Sequence, residues 1–238
     1  MSSYGISAFL LCYNDAETIG VLVHDALATL RELTDDFEII VVNDGSRDDS
    51  AQVLRGLQSQ VECLRIVSHP TNRGFGGAVR SGFAAATKDL IFYTDGDGQY
   101  DVKELRLLHA ALADDVDFVN GAKMTRHDPA YRVYIGNLHN LFMRWCFWLP
   151  IADVDCDFRL IRRSVIARIH LTTDSGSICT ELVKRAERAG ARFREVPVHH
   201  YARRSGQSQF FKPLAIAQTY ADLARLWVKL ALLGRDTR

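Results

Sequence analysis

Short apolar, β-branched runs alternate with longer stretches of helical spacing along most of the chain. Ile6–Tyr13 and Phe37–Val42 read as the first two strands, Val61–Val67 as a third, Leu90–Thr94 as a fourth and Phe118–Ala122 as a fifth. Between the first two, Asp15–Leu33 sets Ile19, Leu22, Val23, Ala26, Leu27 and Leu30 at the spacing of one helix face. A second helix is predicted over Asp48–Leu57, opened by the capping types Asp48, Asp49 and Ser50. Gly74–Ala86 is a third, with small residues that allow close packing on a sheet, and Val102–Leu112 a fourth. In the second half the pattern predicts an aromatic-rich helix over Tyr131–Phe147 and a strand over Cys156–Ile161. A helix over Ile178–Ala189 is stopped by Gly190, a strand covers Arg192–His200, and a last helix covers Pro213–Leu233. Strand and helix in alternation predict an α/β chain with a mostly parallel central sheet. At 238 residues the chain is expected to form a single domain plus a C-terminal amphipathic helix.

Composition adds exclusions. Lys+Arg and Asp+Glu balance at 29 each, so no basic field argues for nucleic acid. The five cysteines, Cys12, Cys63, Cys146, Cys156 and Cys179, are scattered and odd in number. Without a C-x-x-C pair they suggest neither zinc nor a disulfide framework, and a reducing cytosol is the simplest setting. The N-terminus runs into the first strand without a basic, cleavable leader. No apolar stretch reaches the roughly 18–20 residues of a spanning helix. Leu138–Ile151 comes nearest, interrupted by Asn140 and Arg144.

Chemistry gathers where strands end. Ile6–Tyr13 runs into Asn14-Asp15, Phe37–Val42 into Asn43-Asp44-Gly45-Ser46, and Leu90–Thr94 into Asp95-Gly96-Asp97-Gly98-Gln99. Open α/β sheets bind ligands outside the carboxyl ends of their strands. Two acids on a glycine-broken turn with an amide donor suit a divalent cation carrying a diphosphate, although the same residues also make ordinary turns. Asn72-Arg73-Gly74-Phe75-Gly76-Gly77 offers backbone N–H groups to an anion, or at Gly76 and Gly77 simply close packing. Asp153, Asp155 and Asp157 crowd around Arg159, where an ion pair holding the strand is the favoured reading over catalysis. Of His199 and His200, one faces inward if strand alternation holds.

The ordered set Leu11-Cys12-Tyr13-Asn14-Asp15, Val41-Val42-Asn43-Asp44-Gly45-Ser46, Asn72-Arg73-Gly74 and Asp95-Gly96-Asp97 resembles family 2 glycosyltransferases of the A-type fold. Glu195-Val196-Pro197-Val198, followed by Arg203, Gly206 and Ser208, is similar to the dolichol-phosphate mannose synthase branch of polyprenyl-phosphate glycosyltransferases. The resemblance runs from about residue 6 to 210. It implies an inverting enzyme that moves a mannose- or glucose-type sugar from a nucleoside-diphosphate sugar to a polyprenyl phosphate, with Mg2+ or Mn2+.

By the same resemblance Tyr13, Asn14, Asp15, Asp44, Asn72, Gly74, Asp95, Gly96, Asp97 and Arg203 bind the donor. Asp44 takes the base or ribose, and Asp15 stands where the family usually carries Glu. Asp97 leads the metal ligands, with Asp95 on ribose, metal or both and Gln99 beside them. A phosphate acceptor is already ionised, so it needs cationic steering more than a strong base. Arg203 is the first candidate. Arg126 and Arg132 are further ones, with a plain surface role equally open. Glu181 occupies the place of an acid found near the acceptor in some relatives, and is equally an ordinary helix residue. Two departures stand out: Gln209 replaces a frequent Lys, and Asp157 replaces a frequent Gly.

Residues 1–211 are expected to form the catalytic domain and 212–238 the amphipathic helix and tail. In that helix Gln218, Asp222, Arg225 and Lys229 share one face, opposite Leu214, Ala217, Tyr220, Ala221, Ala224, Trp227, Val228 and Ala231. The apolar face can lie in a membrane interface, pack on the domain, or pair with another copy or an integral partner. Phe142, Trp145, Phe147, Trp148 and Leu149 form a second aromatic group. The expected location is the cytoplasmic face of a membrane. A soluble or polysaccharide acceptor, and a nucleotide-sugar-binding subunit without turnover, are the alternative readings.

Overall fold

The computed structural model describes residues 4–126, 130–203 and 213–232, with the side chains of 125–126, 130–137, 139, 213–215 and 231–232 left aside. Seven strands build one sheet: β1 (Ile6–Cys12), β2 (Phe37–Asn43), β3 (Leu64–Ser68), β4 (Leu90–Asp95), β5 (Phe118–Arg126), β6 (Phe158–Arg162) and β7 (Phe193–His200). Their order is β3-β2-β1-β4-β6-β5-β7. Only β6 runs against its neighbours; the other pairs are parallel. The register sets Cys12 beside Asn43 and Leu11 beside Asp95. The carboxyl ends of β2, β1 and β4 therefore open side by side, about 5 Å apart per strand.

Side-chain alternation splits the sheet's residues between two cores. Ile6, Ala8, Leu10, Ile39, Val41 and Phe92 face α1 (Ile19–Leu33), α2 (Ser50–Gln58) and α4 (Leu105–Ala111). Phe9, Leu11, Ile40, Val42, Ile91 and Tyr93 face α3 (Gly74–Ala85), α5 (Ala130–Phe147), α7 (Ile178–Arg188) and α8 (Pro213–Trp227). The strands are apolar on both faces because helices cover both, as parallel sheets require. A short helix, α6 (Arg163–Ile166), lies outside the predicted elements.

Several boundaries shift for local reasons. The first helix starts at Ile19 and not Asp15, because Asp15 is spent on a turn: its carbonyl takes the N–H groups of Thr18 and Ile19. Val61 belongs to the turn after α2, its N–H going to the Leu57 carbonyl, so β3 begins at Leu64. The fourth predicted helix opens as a 3-10 turn over Val102–Glu104.

The largest correction concerns α8. The expected apolar face is turned outward: Ala217, Tyr220, Ala221, Ala224 and Val228 are exposed. Thr219, Leu223, Leu226 and Leu230 are buried instead, the three leucines in the same core as α3 and α7. Three leucines carry more apolar area into the core than an alanine-rich face does. Trp227 fixes the contact by donating its indole N–H to the Cys146 carbonyl at 3.0 Å. The aromatic group of α5 also divides: Phe147 and Leu149 are core, whereas Phe142, Trp145 and Trp148 are exposed.

Candidate active site

β4 ends on Asp95 and turns through Gly96 and Asp97. A Cβ on Gly96 would stand 2.2 Å from the Leu11 carbonyl oxygen, so only glycine lets this turn cross the end of β1. Thr18 ties the turn down through its hydroxyl, which donates to the Gly96 carbonyl at 2.6 Å. Gly96, expected to admit a ligand, thus serves the approach of β1. Asp97 is buried, accepts the Gln99 N–H at 3.0 Å and meets the Arg203 guanidinium at 2.6 Å. Gln99 spends its amide N–H on the Tyr201 carbonyl, and its own carbonyl takes the Tyr201 N–H. These two bonds clip the segment after β7 onto the acid turn and carry Arg203 to Asp97.

Asp15 enters from β1. Its carboxylate accepts the Tyr13 N–H at 2.9 Å, and Asn14 between them takes a positive φ of 60°. Asn14 in turn receives the Arg47 N–H at 2.7 Å and gives its own N–H to Ser46. The first two strand ends are thereby laced together.

The acids repel one another. Burial pushes Asp15 up to about 6, with the Asp97 charge adding to it and the Tyr13 N–H and Arg203 opposing. Asp95 is raised well above the carboxylate range by burial, then by Asp157 and Asp97. Burial raises Asp97 too, against the pull of Arg203. Asp157 also belongs to this site, and its carboxylate, raised by burial, receives the Cys179 thiol at 3.2 Å and the Tyr93 hydroxyl at 3.5 Å.

Arg159 is fully buried. It donates to Asn120 Oδ1, the Cys156 and Val154 carbonyls and the Tyr93 hydroxyl. The expected bond to a neighbouring carboxylate is replaced by a relay in which Tyr93 links Arg159 to Asp157. Asp153 has a structural task, accepting from Asn140 Nδ2 and the Lys123 N–H.

The remaining candidates separate. Asp44 is buried, with Oδ1 accepting from His69 and from the Arg73 N–H. Asn72 shapes the loop beside it, with Nδ2 on the Asp44 carbonyl and Oδ1 on the Gly74 N–H. Gly74 has φ +80°, and a Cβ there would meet the Asp174 carbonyl at 2.6 Å. The Gly76 N–H bonds that same carbonyl, so packing accounts for these glycines. Glu181 is engaged within the fold. It is fully buried and takes donors from Thr172, Thr173 and Arg185, which outweigh burial and hold its carboxyl low. His200 faces inward against Tyr100, while His199 is exposed and pairs with Glu104. The backbone places Arg126 at the end of β5 and Arg132 in the first turn of α5; their side chains, with 204–212, lie outside the described residues. His69 carried no sequence signal beyond following a strand.

Among the described residues no group of three or more His, Cys, Asp or Glu is set to hold a metal unaided. A magnesium-type site does not need one, since it draws on one or two carboxylates plus phosphate oxygens. Asp95 and Asp97 fit that demand, one half-buried and one buried, with their mutual charge answered by one arginine. A sign follows for stability. Raised carboxyls favour the folded state while protonated and lose that contribution as pH climbs through their folded values. A cation on Asp95 and Asp97, both raised by burial, offsets the loss, so the rise in melting temperature with Mn2+ should be larger at pH 7.5 than at pH 5. Calorimetric melts at both pH values test this; an equal or larger shift at pH 5 would put the cation elsewhere.

The sequence profile described as Glycosyl transferase family 2 matches residues 7–169. The undecaprenyl-phosphate 4-deoxy-4-formamido-L-arabinose transferase of Pseudomonas fluorescens Pf-5 is 28% identical over 220 residues, 92% of this chain and 63% of that protein. The Yersinia enterocolitica protein of the same name is 28% identical over 208 residues, 86% of this chain and 62% of that one. The chain thus spans just under two thirds of the length of these curated relatives. Glucosyl-3-phosphoglycerate synthase from Mycobacterium tuberculosis, in complex with Mn2+, UDP and phosphoglyceric acid, superposes with a TM-score of 0.72 at 19% identity. That match covers 94% of this chain and 78% of the other. Its complex with Mg2+ and UDP gives 0.70 at 18%, covering 94% and 79%. At such identity the likeness speaks for the fold.

Proposed function

The chain belongs to glycosyl transferase family 2, and from that premise we propose that it transfers a sugar from a nucleoside-diphosphate sugar to a polyprenyl phosphate. The observation that carries the reading is the acid turn Asp95–Asp97 at the carboxyl edge of the sheet, with Arg203 brought onto it. Asp44 and the Tyr13–Asp15 turn receive the nucleoside. Asp97 and Asp95, with Gln99 beside them, would hold a magnesium or manganese ion, which would offset charge developing on the departing diphosphate. Arg203 reaches the space a diphosphate oxygen would fill and grips phosphate with a planar fork. The acceptor phosphate oxygen attacks the anomeric carbon from the side opposite the leaving group. The bond from that carbon to the diphosphate breaks, the nucleoside diphosphate departs, and the configuration inverts.

The lipid acceptor is supported by the names of the relatives and by one surface. Leu138, Leu141, Phe142, Trp145 and Trp148 share an outer face of α5 and its end, at 50–75% exposure. Among the described residues no helix is long and apolar enough to cross a membrane. Tryptophan favours the membrane–water interface, so this face would rest on the bilayer. The double variant Trp145→Ser, Trp148→Ser should weaken co-sedimentation with anionic vesicles by about tenfold or more. Unchanged binding would move the contact elsewhere.

The function itself is tested by incubating the protein with undecaprenyl phosphate and a panel of labelled nucleotide sugars. The panel spans mannose, glucose and 4-formamido-arabinose donors. Label should enter the organic phase from at least one donor. Label found only on water-soluble or polymeric products would favour the alternative acceptor class.

A further inference from the structure

A chain of three side chains, two buried and one half-buried, runs back from Asp44 through His69 to Ser81. His69 follows β3, and its backbone N–H is fixed to the Asn43 carbonyl at 2.9 Å. Its Nδ1 stands 2.5 Å from Asp44 Oδ1, and its Nε2 stands 2.8 Å from the hydroxyl of Ser81 on α3. The His69 and Asp44 side chains are each 5% exposed. An ionised carboxylate only accepts, so Nδ1 carries the proton; Nε2 then meets a hydroxyl that can donate or accept. Asp44 Oδ1 also takes the Arg73 N–H at 2.8 Å. Two donors converge on Oδ1, and among the described residues none reaches Oδ2. Oδ2 is not among the buried side-chain atoms left without a partner, so it is open to a donor from outside the chain.

We propose that His69, backed by Ser81, is a positioning residue that locks the Asp44 carboxylate so that Oδ2 is presented to an N–H or O–H donor of the bound nucleoside. The inference rests on the reading that Asp44 contacts the nucleoside. A carboxylate with free rotation about its last bond would present either oxygen in many directions. With Oδ1 held by an imidazole and a backbone amide, the direction of Oδ2 is set before the nucleotide arrives. The order of the three groups fits this role and not that of a hydrolytic triad. Here the acid stands at the carboxyl edge of the sheet, while the serine stands behind the histidine on α3, half-buried.

The test is calorimetric binding of UDP, GDP, CDP and ADP in the presence of Mn2+, using the best binder thereafter. Asp44→Ala should weaken binding strongly. His69→Leu should weaken it about tenfold or more, the typical cost of losing a hydrogen bond to a charged group. His69→Asn keeps a donor near the Nδ1 position and should stay within about threefold of wild type. In turnover the His69→Leu effect should appear in the donor KM with kcat little changed. Added to Asp44→Ala, His69→Leu should weaken binding no further, because it acts only through that acid. Ser81→Ala provides a milder variant should His69→Leu fail to fold, with an expected loss of about two- to threefold. Unaltered binding by Asp44→Ala, or no binding of any nucleotide by wild type, would overturn the reading of Asp44. Weakening by Asp44→Ala with a folded His69→Leu, or Ser81→Ala in its place, at wild-type affinity would leave that reading intact and overturn the positioning role. Equal losses for His69→Asn and His69→Leu, tracking melting temperature, would mark a purely structural histidine.

Discussion

Asp97→Asn should lower kcat/KM by about three orders of magnitude while leaving the protein folded. The expectation follows from three facts about one carboxylate. Asp97 is buried on a turn fixed at its neighbours by Thr18 and Gln99, so an amide of the same size keeps the turn and its Gln99 bond, while its NH2 group releases Arg203. It shares the carboxyl edge with Asp95, the other acid suited to a divalent cation. It is also the residue on which Arg203 rests, 2.6 Å away. Removing its charge takes away electrostatic stabilisation aimed at the leaving group, which typically costs about 10²- to 10³-fold per group. The same variant should lose the pH-dependent thermal shift with Mn2+. Steady-state rates and melts on one preparation check both. Activity within about tenfold of wild type would remove Asp97 from the chemistry.

Arg159→Met should cost about 3–5 kcal/mol of stability, the range for breaking a buried charged network. Methionine roughly fills the volume of the arginine stem but supplies no donor. Asn120 Oδ1, the Cys156 and Val154 carbonyls and the Tyr93 hydroxyl would each lose a partner inside the core. Asp157, raised by burial and held down chiefly by Arg159, would lose its nearest cation. For a chain of this size the change corresponds to a fall in melting temperature of roughly 10 °C. Activity should fall as well, since the strand that carries Asp157 beside Asp95 is held by these bonds. A denaturant titration showing less than about 1 kcal/mol of change would mean that solvent replaces the lost donors.

The sheet and its site edge were legible because alternation, glycine-broken turns and acids all fall at strand ends. Periodicity placed β1, β2 and β4, and the parallel register then fixed Asp15, Asp44, Asp95 and Asp97 along one rim. What stayed hidden depends on contacts between distant segments. The inner face of α8 and the turn after it stayed hidden because a periodicity weighs alanines and leucines alike, and only packing shows that Leu223, Leu226 and Leu230 turn inward. Gly74 resembled part of an anion cradle, yet the Asp174 carbonyl, a hundred residues on, lies against it, as it does against Gly76, where packing was already an open reading. Glu181 resembled a site acid until Thr172, Thr173 and Arg185 closed around it. His69 gave no motif at all; its role depends on β3 ending beside β2 and on α3 crossing behind. Counting polar residues just past every parallel strand, edge strands included, would have flagged it.

The central claim is that an acceptor phosphate on a polyprenyl chain attacks the sugar of a nucleotide donor bound at the Asp95–Asp97 turn. The most direct measurement follows transfer of label from the preferred nucleotide sugar to matched lipids, undecaprenyl phosphate and undecaprenol, in the same detergent. Wild type should label only the phosphate, the product should carry an acid-labile sugar phosphate of inverted configuration, and Asp97→Asn should label neither. Equal labelling of undecaprenol, or transfer to a soluble sugar with none to the lipid phosphate, would contradict the account.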